Sequence, residues 1–139
     1  MSDRILFPKE DVIDTKYFNI HQDREVPIPG FFIMEAKRKL RSVSEFTNEE
    51  AVEFMDLLRK VRKGMFEVLG IKDVYLFQDE DTSHNFHLWI FPRHSWMEEF
   101  GRKIQSVRPI MNYAKENMIT DVLIKEVKEH VKKIRKYME

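Results

Sequence analysis

The sequence predicts an α+β fold built on an antiparallel sheet, and three observations predict it. Two apolar strands flank a Val26-Pro27-Ile28-Pro29-Gly30 turn. A well-capped amphipathic helix follows them. Two further strands are then joined by a short polar link that contains residues 78–83, before the chain turns helical. Strands that connect through short links pair antiparallel, because a parallel crossover needs a dozen residues or more.

Tyr17-Phe18-Asn19-Ile20 reads as the first strand, and Phe31-Phe32-Ile33-Met34 as a second, mostly buried one. Two prolines fix φ in the turn between them, and Gly30 is free to take φ > 0. Thr47-Asn48-Glu49-Glu50 has the capping-box pattern. Phe54, Leu57, Leu58, Val61, Met65, Val68 and Leu69 then recur at helical steps until Gly70 stops the helix. Val74-Tyr75-Leu76-Phe77 is a third strand and Phe86 to Phe91 a fourth. Ile104, Val107, Met111, Ala114 and Met118 share one face of a helix that tolerates Pro109 only near its first turn. Thr120 or Asp121 caps a last helix striped by Leu123, Val127, Val131, Ile134 and Met138; both stripes read as core or dimer packing.

Composition bounds the function. The 139 residues carry 24 Lys+Arg and 24 Asp+Glu, so the net charge is zero. That argues against a coat for nucleic acid or a polybasic membrane binder. The length fits one domain, 1–139. No apolar run approaches the ~18–20 residues of a membrane span. Met1-Ser2-Asp3-Arg4 leads into no apolar leader, and cysteine is absent, which fits a cytoplasmic protein. Without cysteine there is no thiol nucleophile and no cysteine-based zinc site. With four glycines there is no glycine-rich phosphate loop.

The segment His84-Asn85-Phe86-His87-Leu88-Trp89-Ile90-Phe91-Pro92-Arg93-His94 carries most of the chemistry. On a strand, Asn85, His87, Trp89 and Phe91 point one way and Phe86, Leu88 and Ile90 the other. The all-apolar set belongs to the core, leaving an Asn-His-Trp row on a second surface. The pattern alone favours a hydrogen-bonded structural histidine. Alternation places His84 opposite His87, which argues against a shared metal ion, and His94 is expected at a solvated strand end. His130 is expected on the surface of the last helix. Asp79-Glu80-Asp81 reads as an exposed hairpin tip; its alternative use is to hold Mg²⁺ arriving with a polyphosphate.

This segment resembles the signature of the histidine-triad family of nucleotide hydrolases and transferases, in which three histidines alternate with apolar residues just before Pro-Arg. With Pro92-Arg93 fixing the register, the middle histidine falls on His87, the first on Asn85 and the third on Trp89. Asp23-Arg24-Glu25-Val26-Pro27-Ile28-Pro29-Gly30-Phe31 resembles the family's turn between its first strands, although Phe31 stands where histidine is usual. Phe46-Thr47-Asn48-Glu49-Glu50 resembles its helix start, and Phe77-Gln78-Asp79 with Thr82 resembles the diadenosine polyphosphate hydrolase branch. The resemblance covers roughly residues 17–94; residues 95–139 read as a helical extension.

The resemblance implies hydrolysis of a nucleoside phosphate or dinucleoside polyphosphate, the alternatives being a non-catalytic nucleotide-binding module or a nucleotidyl transferase or phosphorylase; it also implies a homodimer and no required cofactor or resident metal. It implies that His87 is the nucleophile, forming a nucleotidyl-histidine that water or another acceptor resolves. A neutral imidazole suits that role near pH 7, since its unperturbed pKa is ~6.5. Gln78, Thr82, Ser83 and Asn85 are expected as donors to phosphoryl oxygens, and Trp89 offers its indole N–H. Asp23 would accept from ribose hydroxyls, His21 would share its face beside the nucleotide, and Phe18 or Ile20 would hold the base.

Overall fold

The computed structural model describes residues 4–139. Met1, Ser2 and Asp3, on which the expectation of no leader partly rests, lie outside the described residues. Five strands form one antiparallel sheet: β1 (Asp11–Asp14), β2 (Phe18–Gln22), β3 (Phe32–Ala36), β4 (Val74–Phe77) and β5 (His87–Pro92). Their spatial order is β1-β2-β3-β5-β4, so β3 is central. The helices are α1 (Asn48–Leu69), α2 (Val107–Asn117) and α3 (Asp121–Met138). Short 3₁₀ turns cover Val43–Glu45, Ser95–Phe100 and Ile104–Ser106.

The expected α+β order with its antiparallel sheet is what the chain forms. β1 was not legible: its four residues alternate too briefly, and a bulge between Asp11 and Ile13 breaks the pattern. Gly30 takes φ 83°, and a Cβ there would meet Ile71 Cδ1 at 2.5 Å, so the turn accepts no side chain.

α1 starts as its sequence demands. The Thr47 hydroxyl accepts from the Glu50 N–H, and the Glu50 carboxylate accepts from the Thr47 N–H. Gly70 closes the helix at φ 69°. Glu50 does a second job. It accepts a forked pair from Arg38, at 3.0 Å from Nε and 2.9 Å from Nη2, which ties the end of β3 to the start of α1. That guanidinium, helped by the Thr47 N–H, holds the Glu50 carboxyl at a pKa of about 2.

The sheet has two buried faces. On one, Phe18, Ile20, Phe32, Met34, Leu88 and Ile90 pack against Leu57, Val61 and Met65 of α1 and Val131, Ile134 and Met138 of α3. On the other, Phe31, Ile33 and Phe91 pack against Val107, Ile110, Met111 and Ala114 of α2. The two helices of the extension therefore part company, one to each face. The helical stripes are confirmed with two exceptions. Val68 is 38% exposed and Ile104 is 55% exposed, the latter because it sits in a 3₁₀ turn ahead of α2. Among the described residues no helix is long and apolar enough to cross a membrane.

Gly64 sits where α1 crosses α3. A Cβ there would lie 2.5 Å from Ile134 Cδ1 and 2.6 Å from the Tyr137 ring. Gly64→Ala gains helix propensity, worth ~1 kcal/mol, but must push a ring and a helix outward. The expected net effect is a loss of about 1–3 kcal/mol in a urea titration. Glu50→Gln tests the β3–α1 tie. A carboxyl with a depressed folded pKa stabilises above its unfolded pKa, and that contribution is lost as pH falls from ~4.5 toward 2. The wild-type melting temperature should fall over that window, and the Glu50→Gln protein should melt lower at pH 7 with a flatter profile.

Candidate active site

Where α2 leaves its face of the sheet uncovered, a cleft of about 280 Å³ opens over β2, β3 and β5. His21 and Asp23 reach it from β2 and the turn after it, Ile33 and Glu35 from β3, and His84, Asn85, His87 and Trp89 from β5 and its approach. Arg24, Glu25 and Ile5 form the rim.

His87 is held in one tautomer. Its Nδ1 lies 2.8 Å from the Asn85 carbonyl oxygen, which can only accept, so Nδ1 carries the proton and donates. The lone pair is left on Nε2. Trp89 stacks beside the ring at 6.0 Å between centroids and 17° between planes. Trp89 is itself wedged against Phe77 at 4.9 Å and Phe31 at 5.9 Å, which fixes the wall next to the imidazole.

His21 is only 4% exposed and is oriented by a short chain of donors. Asn19 Nδ2 donates to Asp14 Oδ1 at 3.1 Å, which turns Asn19 Oδ1 toward His21 Nδ1 at 2.8 Å. Nδ1 therefore donates, and Nε2 is an acceptor. Burial, with Arg24 and His87 nearby, pushes the His21 pKa down to about 4, so the ring is neutral at pH 7. Asp23 Oδ1 accepts from the Glu25 and Val26 N–H groups at 3.0 and 2.9 Å. Burial raises its pKa against those two bonds and against Lys115 and Arg24.

The cleft thus brings together His87, Asp23, His21, Trp89 and Asn85. It leaves out three of the expected donors. Gln78 donates to the Arg41 and Asp79 carbonyls, at 2.9 and 3.0 Å. Thr82 and Ser83 lie on the exposed connection, where the Thr82 hydroxyl accepts from the His84 N–H at 3.3 Å. Asn85 is present but spent: Nδ2 donates to Ala36 and Arg38, and Oδ1 accepts from Leu40. It fastens the segment after β3 to the start of β5.

Other expectations are corrected as well. Phe18 and Ile20 are fully buried in the core on the opposite face, so neither reaches the cleft; Ile5, Ile33 and Trp89 supply its apolar wall. His84 shares the cleft with His87, their rings 5.9 Å apart, because β5 begins only at His87 and strand alternation does not extend back to residue 84. His94 is not solvated: Nε2 donates to the Pro29 carbonyl at 2.7 Å, and burial lowers its pKa. His130 is half-buried, with Nδ1 on the Glu126 carbonyl at 3.0 Å. Asp79, Glu80 and Asp81 are exposed, as expected of a hairpin tip. Among the described residues no three His, Asp or Glu side chains converge as ligands for a metal ion.

Neither a family model nor a curated protein sequence matches the chain. Solved structures do match. A histidine-triad-like protein from Bartonella henselae involved in cell-cycle regulation superposes at TM-score 0.63, with 19% identity over 94% of this chain and 88% of that one. A zinc-bound histidine-triad family protein from Mycobacterium smegmatis gives 0.62 at 12% identity, over 94% and 84%. A Plasmodium falciparum diadenosine triphosphate hydrolase, in complex with cyclomarin A, gives 0.62 at 17% identity, over 93% and 76%. This is the histidine-triad fold. Within it, His87 opens β5, with Asn85 two residues before it and Trp89 two residues after.

Sequence reading missed Glu35, Arg24 and Ile5. The signal for Glu35 was a single acid ending the apolar run Phe31–Met34, and it became informative only once β3 was paired with β5. Arg24 and Ile5 reach the rim through the chain's path. The Leu6 and Phe7 N–H groups both donate to the Arg24 carbonyl, which lays the N-terminal segment along the cleft.

The neutral state of His21 has a measurable consequence. A histidine whose folded pKa is depressed stabilises the fold fully above its unfolded pKa of ~6.5, and that contribution is lost as pH falls toward 4. His21→Leu should therefore lose less melting temperature than wild type between pH 7 and pH 4.5.

Proposed function

We propose that the protein is a divergent histidine-triad hydrolase of nucleoside phosphates or dinucleoside polyphosphates, with His87 as its nucleophile. The observation that carries this reading is the His87 tautomer: Nδ1–H is committed to the Asn85 carbonyl, so the Nε2 lone pair is available in the cleft that Asp23 shares. Nε2 attacks the phosphorus nearest the nucleoside, a P–N bond forms, and the bond to the leaving group breaks. Nδ1 keeps its proton, and the adjacent carbonyl stabilises the imidazolium that develops. Asp23 Oδ1 is occupied by two backbone N–H groups, so its second oxygen is the one that would accept a ribose hydroxyl. The base would rest on Ile33, Ile5 and the polar edge of His21. Arg24 at the rim supplies positive charge near the phosphates.

The partner we propose is a nucleotide, together with a second copy of the chain. β4 is an outer strand with Leu76 48% exposed, an open edge of the kind a second strand pairs with. No resident cofactor enters the chemistry; Mg²⁺ would come with a polyphosphate substrate.

His87→Ala should abolish turnover of a dinucleoside polyphosphate and of a nucleoside phosphoramidate while leaving the melting temperature and nucleotide affinity nearly unchanged. Loss restricted to the chemical step is what removing a nucleophile does. Quenching wild type during turnover with alkaline denaturant, which spares an acid-labile P–N bond, should trap nucleotide on His87. Equal rates for the two proteins would refute the assignment.

A further inference from the structure

Glu35 stands directly across the β3–β5 ladder from His87. Directly opposed residues on antiparallel strands project from the same face with Cβ atoms about 4.5–5.5 Å apart. Both side chains line the cleft, and both are half-buried. The surroundings of Glu35 are peculiar for a carboxylate in the middle of a sheet. Its cross-strand neighbour on the other side is Asn19, whose amide is committed to Asp14 and His21. Among the described residues none donates a hydrogen bond to the Glu35 carboxylate, and no Lys or Arg pairs with it. A structural role would leave it bonded; the Glu50 carboxylate accepts three hydrogen bonds, two from Arg38 and one from the Thr47 N–H.

An unbonded carboxylate beside a phosphate site also carries an electrostatic cost, because it repels the anion that the site must hold. Such a group is tolerated where it is needed as a base. We propose that Glu35 is the general base that activates water for hydrolysis of the nucleotidyl-His87 intermediate, an assignment that rests on the reading of His87 as nucleophile. The step balances without any further reactant. The water oxygen attacks phosphorus, a P–O bond forms and the P–Nε2 bond breaks. The electron pair of that bond returns to Nε2, restoring the neutral ring with its proton on Nδ1. The water proton passes to Glu35, which releases it to solvent. The cross-strand register keeps Glu35 beside His87, and among the described residues no other carboxylate is paired with His87 on a neighbouring strand.

The test uses the whole chain and a nucleoside 5′-(p-nitrophenyl) phosphate, whose leaving group needs no proton. Wild type and Glu35→Gln are compared by rapid mixing for nitrophenolate and by quenching for covalent nucleotide. Glu35→Gln should keep a burst near one nitrophenolate per site, while its steady-state rate falls about 10²-fold or more, the scale of a lost general base. Covalent nucleotide should accumulate in the variant. Azide, an anionic nucleophile with no proton to lose, should restore the slow phase in Glu35→Gln and leave wild type unchanged. The variant should also bind the nucleoside monophosphate several-fold tighter, since a repulsive charge is gone, and Glu35→Asp should recover part of the slow phase.

An unchanged steady-state rate in Glu35→Gln overturns the assignment. So does a burst that falls together with the steady state, because Glu35 would then serve the first step or the fold. If His87→Ala matches wild type and no covalent nucleotide forms in either, the nucleophile itself is wrongly assigned and the proposal fails with it.

Discussion

The register of β3 is the constraint from which the rest of the structure follows. This strand is paired on both edges and buried on both faces. Phe32, Met34 and Ala36 point to the core under α1 and α3, and Ile33 packs on the α2 side. Because side chains alternate with a period of two, a slip of one residue would drive Glu35 into an apolar core and expel Met34 into the cleft. Neither neighbour can move independently. β2 is fixed by Phe18↔Ala36 and Gln22↔Phe32, and β5 by Phe32↔Ile90 and Glu35↔His87. The same register that seals two cores therefore also aligns His21, Glu35 and His87 along one open patch of sheet.

Most of the polar side chains around that patch serve to orient others. Asn85 spends its whole amide on the backbone of residues 36, 38 and 40, and its carbonyl fixes the proton of His87. Asn19 passes orientation from Asp14 to His21. Trp89 is locked between Phe31, Phe77 and the His87 ring. A site built this way is preorganised: its two central imidazoles have fixed tautomers and present Nε2 lone pairs without waiting for a ligand. Asn85 and Trp89, two residues to either side of His87, contribute a tether and a wall.

The pH behaviour of the fold follows from two buried groups that titrate in different windows. His21 loses its stabilising neutrality between ~6.5 and about 4, and Glu50 loses its pairing with Arg38 between ~4.5 and about 2. Acid should therefore weaken the cleft strand first and the β3–α1 tie afterwards. The site would be perturbed by mild acid while the helical layer still holds.

The sequence by itself determined the local structure. The capping box of Thr47 and Glu50, the stop at Gly70, the Pro-Pro-Gly turn and the limits of Val74–Phe77 follow from propensity and from hydrogen bonds within a few residues. The alternation of residues 85–91 sorted core from cleft around His87, while Asp23 was joined to it only by the family resemblance. What only the tertiary structure decided involves partners distant in sequence. Asn85 looked like a phosphate donor until residues 36–40 were seen to use it. Phe18 and Ile20 looked like base contacts because their strand borders the site, but the pleat turns them to the opposite core. His84 looked turned to the opposite side from His87 because alternation was extended beyond the start of β5. Glu35 showed only as an acid ending an apolar run, since its meaning lies in a cross-strand neighbour 52 residues away. The amphipathic stripes of α2 and α3 are alike as sequence; that they cover opposite faces, and that α2 stops short enough to leave a cleft, depends on which surfaces the sheet still had bare.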